Sequence, residues 1–253
     1  MYRIEDYPQI RDSYYVSDRL AGVYPKLRGK VAVITFFVKS FSGDFSEKTL
    51  NQYYRELQTA FSMLEKEAHQ RGVFLKLDGY HYHLDMPPDT SPKSGYAVIR
   101  SFLSISTLKE AQDYFKKNMD VDQVSLVVVY DKYDRSFAKQ HNFKNSKAVY
   151  KLPVIFQGRS GYSAYTIAHE LLHQFGAEDL YYPKKICECA EYYLRDSIMG
   201  IGKRDVVDDF TAYLIGWKDT VSAKTWHFLN ASTWVTKNIL EDAMRREWMK
   251  EYV

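Results

Sequence analysis

The first sustained pattern along the chain is an unbroken apolar run, KVAVITFFVK over 30–39, β-branched and aromatic almost throughout. A strand without polar alternation is one covered on both faces, so this segment is expected at the centre of a sheet. Next, 46–71 places Leu50, Tyr53, Tyr54, Leu57, Phe61, Leu64 and Ala68 on one helical stripe, with Ser46 as cap and Gly72 as stop. A strand over 73–77 follows, and strand, helix, strand is the crossover unit of a parallel sheet. Thr107 to Glu110 reads as a capping box that opens a second helix, running to 119 with Leu108, Ala111, Phe115 and Met119 inward. QVSLVVVYD, 123–131, is the most strand-like run of all. AVYKLPVIF, 148–156, is strand-like too, but Pro153 lacks a ladder donor and assigns it to an edge or a bend.

Beyond 180 the pattern turns helical, over 183–194, 206–217 and 232–252; in the last, Leu240, Met244, Trp248 and Tyr252 recur every four residues. Residues at the start are mixed and polar, without a sustained period. The expected architecture is α+β in a single domain, 1–253. It has an N-terminal extension (1–29), an N-terminal lobe with a mixed twisted sheet and helices (30–180), and a helical C-terminal lobe (181–253). The lobes are expected to meet near 176–182.

With 253 residues and 45% hydrophobic side chains, the chain is long enough to bury a full core. Its formal charge of +3 is mild and no lysine or arginine run forms a nucleic-acid footprint, so nucleic acid is not the expected partner. No window reaches the ~18 apolar residues of a membrane span, and MYRIEDYPQI lacks the basic segment and apolar run of an export signal. A cytoplasmic location is therefore expected, with a signal already removed or a non-classical export route as the alternatives. The 22 tyrosines suit peptide clefts and ordinary strand packing alike. Cys187 and Cys189 are separated by one residue, too close for an ordinary intrachain bridge, which permits a reducing compartment. Neither they nor the alternating pair His81 and His83 have a further ligand at metal-site spacing.

One stretch carries chemistry: YSAYTIAHELLHQFGAED, 162–179. A helix over 163–175 puts His169 and His173 on one face, one turn apart, where they can share a metal ion. Zinc suits that pair. Glu170 lies about 100° further round the helix, within reach of a water at the ion without being a ligand, which is the place of a general base. Gly176 can take the left-handed conformation that ends a helix and turn the chain so that Asp179 becomes third ligand, leaving a fourth position for water. Ala164, Ile167, Ala168, Leu171, Leu172 and Phe175 cover most of the helix. Burying two imidazoles and a carboxylate among them is costly without a strong partner, and a metal is such a partner.

These residues resemble the metzincin clan of zinc endopeptidases, whose signature is an elongated His-Glu-x-x-His-x-x-Gly-x-x-His/Asp motif followed downstream by a methionine-containing turn. Aspartate as third ligand is similar to the snapalysin-like branch. The matching turn is Ser197-Ile198-Met199-Gly200, beginning 18 residues after Asp179. The resemblance covers 162–200, and elsewhere only the order of elements agrees. It implies a zincin-like fold with an active-site helix, and one Zn2+ held by His169, His173 and Asp179 with Met199 as an apolar floor beneath it. It also implies hydrolysis of peptide bonds with Glu170 as general base. An antiparallel edge strand, assigned here to 148–156, would pair with an extended peptide or protein substrate. Ile201 stands where some metzincins carry a tyrosine, so no assistance is implied from that position. Tyr181 and Tyr182, directly after the last ligand, either reach the substrate oxyanion or pack as an aromatic loop.

Three other readings stay open. Glu191, 18 residues after His173, is near the spacing of the third ligand in thermolysin-like peptidases, although Gly176 and Asp179 favour the first set. Two histidines and a carboxylate also form the facial triad of non-haem iron oxygenases. In the third, the metal is purely structural and the chain is a binding module. The N-terminal extension is in addition a candidate inhibitory segment, with no cysteine to cap a metal.

Overall fold

The computed structural model describes residues 1–11, 14–39, 45–85, 95–104, 107–142, 149–157, 161–182, 184–202 and 204–232. They form two compact units, one of Tyr24–Phe175 and one in which Met1–Val23 joins the described residues from Gly176 onward.

The chain begins with a 3-10 turn at Ile4–Asp6 and two short helices, α1 (Pro8–Arg11) and α2 (Tyr14–Leu20). Although its sequence shows no period, this segment is built into its unit. Tyr2 and Val221 exchange backbone hydrogen bonds of 2.9 and 3.0 Å. The rings of Tyr2 and Tyr7 pack on Trp226, and Ile4, Ile10 and Val16 are fully buried. Arg19 lays its guanidinium over the Tyr213 ring and donates from Nε to that residue's carbonyl at 3.0 Å.

In the second unit the apolar run becomes β1 (Gly29–Lys39), covered on both faces as its composition requires. The long helix α3 (Glu47–Gln70) follows; Ser46 caps it by accepting from the Thr49 N–H, and Gly72, at φ +70°, lets the chain leave it. β2 (Leu75–Asp85) then lies parallel to β1. It is longer than the sequence pattern marks out and includes His81 and His83, whose rings pack on Phe37. Helices α4 (Gly95–Leu103) and α5 (Leu108–Asn118) come next, α5 capped by Thr107, which accepts from Glu110 N–H at 3.1 Å. The remaining strands are β3 (Gln123–Tyr133), β4 (Phe137–Asn142) and β5 (Val149–Gln157).

The sheet order is β2-β1-β3-β5-β4, with every neighbouring pair parallel except β4 and β5. Strand alternation sorts the core: Ala32, Ile34, Phe36 and Val38 of β1 meet Val98, Ile99, Leu108, Ala111 and Phe115 of α4 and α5. On the opposite face Thr35 and Phe37 meet Tyr53 of α3. The assignment of 148–156 to a sheet edge is corrected: β5 is internal, and β4 is the edge. β4 reads FAKQHN, with no apolar run to announce it. Pro153 is accommodated because the β3–β5 ladder begins only at Val154, while the pairing to β4 runs through Pro153.

The site helix α6 (Ala164–His173) ends this unit, packed on α3 and β5. In the other unit α7 spans Lys184–Tyr193, close to expectation. α8 is only Asp209–Leu214, shorter than the 206–217 pattern, because Asp208 caps its start and Gly216, at φ +83°, follows its end. The backbone of 223–232 is also helical. The helix expected over 232–252 lies, past its first residue, outside the described residues. Among those described, no helix is long and apolar enough to cross a membrane.

Candidate metal centre

Side chains from other elements hold α6 at both ends. Ser163 stands at the N-cap but makes no side-chain cap bond; Glu56 Oε2 of α3 accepts from the Ala164 N–H at 3.1 Å instead. At the other end Gln174 is buried against β3. Its Nε2 donates to the Leu126 carbonyl at 2.7 Å, and its Oε1 accepts from Ser125 Oγ at 2.5 Å. Tyr162, just upstream, donates its hydroxyl to the Tyr130 carbonyl at 2.9 Å. Burial raises its pKa, so it is a fixed donor rather than an acid.

On this helix His169 and His173 lie one turn apart, with ring centroids 4.8 Å apart and planes at 89°. His173 and Glu170 are buried, at 6% and 5% exposure, and His169 is half-buried. Gly176 has φ +94°, the left-handed backbone expected of it. The turn it permits brings Asp179 back, so that one ligand atom from each of His169, His173 and Asp179 lies within 4.8 Å of the other two. Among the described residues this is the only group of three or more such side chains drawn together in this way.

The donor set fits a metal of zinc type: two imidazole nitrogens and a carboxylate oxygen, with a carboxylate that is not a ligand beside them on the same helix. A tetrahedral ion bonded at ~2.0–2.1 Å sets its ligands about 3.4 Å apart. The 4.8 Å within which the ligand atoms lie exceeds this by no more than about 1.5 Å. Nitrogen and oxygen donors in a partly buried site also match iron.

The other singled-out residues fall as follows. Met199 is fully buried, and its carbonyl accepts from the N–H of Leu180, the residue after Asp179, at 2.9 Å. Tyr181 is half-buried, and Tyr182 is 72% exposed. Glu191 is outside the cluster; its Oε2 accepts from Arg204 Nη2 at 3.3 Å. His81, His83, Cys187 and Cys189 join no metal-ligand group among the described residues. The cysteines are free thiols, and burial together with Glu188 pushes the Cys189 thiol up, away from the thiolate that a metal would take.

The sequence pattern does not mark Glu56 and Gln174, which hold the ends of α6, or Asp208, which caps α8 and accepts from Ser197 Oγ. Glu56 and Ala164 are 108 positions apart, and no local spacing connects them. The Asp208 cap alone had a local signal, an aspartate ahead of an apolar helical turn. No protein-family model matches the chain, and comparison with curated proteins likewise gives no match.

Proposed function

We propose that the chain is a zinc-dependent metallopeptidase in which His169, His173 and Asp179 hold one ion and Glu170 is the general base. The observation that carries this reading is the convergence of three ligand atoms within 4.8 Å beside a buried carboxylate. The elongated motif and its resemblance to metzincins supply the reaction class.

Bound zinc supplies Lewis acidity, making water more acidic and polarising a carbonyl. Glu170 accepts the proton of the attacking water and delivers it to the leaving amine. Its burial keeps competing solvent away from that proton. The substrate backbone adds to β4, which among the described residues pairs on one side only and packs against α6; its antiparallel setting suits an extended peptide. Tyr181 or Tyr182 is placed in sequence to meet the substrate oxyanion.

Metal analysis of purified protein, combined with digestion of a diverse peptide library by wild type and Glu170→Gln, tests this. The expected result is one zinc per chain in both proteins, with hydrolysis reduced about 10²-fold to 10⁴-fold in the variant. Iron in place of zinc would redirect the reading to an oxygenase. A folded, zinc-loaded wild type that cleaves nothing would leave a metal-stabilised binding module.

A further inference from the structure

We infer that Asp208 and Ser197 are positioning residues for Asp179, acting through the backbone of Met199. The inference rests on the proposed metal centre and goes beyond it, since neither residue is a ligand or adjoins one in sequence. Asp208 accepts four hydrogen bonds. Its Oδ1 takes the N–H groups of Phe210 and Thr211 at 2.9 and 3.1 Å. Its Oδ2 takes the hydroxyls of Thr211 and Ser197, each at 2.5 Å.

A serine hydroxyl has one hydrogen. With that hydrogen committed to Asp208, Ser197 Oγ presents its lone pairs elsewhere, and it accepts from the Met199 N–H at 3.1 Å. Met199 in turn accepts at its carbonyl from Leu180 N–H, at 2.9 Å. That N–H belongs to the peptide unit joining Asp179 to Leu180, and a peptide unit is planar. Fixing its N–H direction therefore fixes the backbone on the C-terminal side of Asp179, from which the ligand carboxylate projects.

The relay is closed to water along its length. Ser197 and Met199 are wholly buried, Leu180 and Thr211 are 1% exposed and Asp208 9%. In such a setting a lost donor or acceptor is not replaced by solvent. The relay also uses the methionine turn in a specific way: Met199 contributes its N–H and carbonyl, whatever its thioether does. The carboxylate of Asp208 orients Ser197, so one residue both caps α8 and holds the turn.

The test compares Ser197→Ala with Thr211→Val. Both remove one hydroxyl donor from the same Asp208 oxygen, but only Ser197→Ala cuts the link to Met199. Zinc affinity by chelator competition, the visible spectrum of the cobalt-substituted protein, and stability of the zinc-free protein in urea are measured for each and for wild type. Both variants are expected to lose stability. Only Ser197→Ala is expected to weaken zinc about tenfold, the lower range for groups that orient ligands, and to alter the cobalt bands. Equal zinc affinities and cobalt spectra in the two variants would overturn the relay while leaving the metal centre standing. Should Ser197→Ala not fold, Asp208→Asn replaces it, since the amide keeps the helix cap and changes the bond to Ser197; unaltered affinity and spectrum there overturn the relay equally. Failure of wild type to bind zinc or cobalt would overturn the metal centre itself, and the relay with it.

Discussion

Glu56 of the long helix α3 accepts a hydrogen bond at 3.1 Å from the backbone N–H of Ala164, the first residue of α6. The opening N–H groups of a helix have no partner within it, and a carboxylate placed there also meets the positive end of the helix dipole. Ser163, the residue type that usually does this, leaves the role to Glu56. Glu56→Ala is therefore expected to destabilise the zinc-free protein by about 1 kcal/mol, the usual worth of a helix cap. Glu56→Gln, which keeps an acceptor oxygen, is expected to recover part of the loss. Urea unfolding curves measure both, and a wild-type midpoint in Glu56→Ala would show that the contact contributes nothing.

Metal content separates the ligand sets. His169→Ala, His173→Ala and Asp179→Ala are each expected to lose zinc or bind it far more weakly. Glu191→Ala is expected to keep it, because that carboxylate is engaged by Arg204 and stands outside the cluster. Replacing His81, His83, Cys187 and Cys189 together should leave the stoichiometry at one. Zinc retained in Asp179→Ala and lost in Glu191→Ala would transfer the third position to Glu191.

Deleting residues 1–23 is expected to unfold the unit they share with the residues from Gly176 onward, rather than to release a latent enzyme. The deletion removes Ile4, Ile10 and Val16 from buried positions and strips Trp226 of one stacked and one tilted tyrosine ring. Emptying one such aliphatic site costs about 2–5 kcal/mol, against total stabilities of about 5–15 kcal/mol. Near-ultraviolet circular dichroism and limited proteolysis of the truncated chain read the outcome. A folded truncated protein with higher peptidase activity would instead identify the segment as inhibitory.

The pattern of polarity is informative where one element determines its own environment. β1 has no polar face, so its central place follows from its residues; the caps at Ser46 and Thr107 follow from a side chain and an N–H three residues on. The motif on α6 is legible for the same reason: helical spacing alone brings His169 to His173, and Gly176 alone needs the left-handed turn. β4 was illegible because FAKQHN lacks alternation, and its pairing depends on β5 being present. Pro153 misled because a missing N–H excludes a strand from the interior only if a ladder needs it there, and the β3 ladder starts one residue later. Segment 1–23 was illegible because its described buried residues, Ile4, Ile10 and Val16, stand six apart, off the helical period, and its backbone pairs some 200 positions away, as Tyr2 does with Val221. The buried Asp208 network joins two turns that the sequence keeps apart by more than a helical repeat.

Acid should separate the Asp209 carboxylate, in the first turn of α8, from its surroundings. Burial alone would raise the pKa of Asp209, but hydrogen bonds from Lys218 Nζ and from Ser222, whose N–H donates at 2.5 Å, outweigh it and hold the group below its ordinary value. In the folded chain Asp209 thus gives up its proton more readily than in the unfolded chain. Across the interval between the two pKa values the unfolded state binds more protons, so stability rises with pH there. The contribution is complete above the unfolded value, about pH 4, and disappears as pH falls through the folded one. Lys218→Met removes the largest favourable partner while keeping most of the apolar length of the side chain. It is expected to cost about 1 kcal/mol at neutral pH, the range for a hydrogen bond to a charged group reduced for partial exposure. That difference from wild type should hold steady from pH 7 to about pH 5 and shrink below pH 4. Urea unfolding of both proteins across this range measures it, and a difference that grows toward low pH would show that the Lys218–Asp209 pair does not stabilise the fold as the geometry requires.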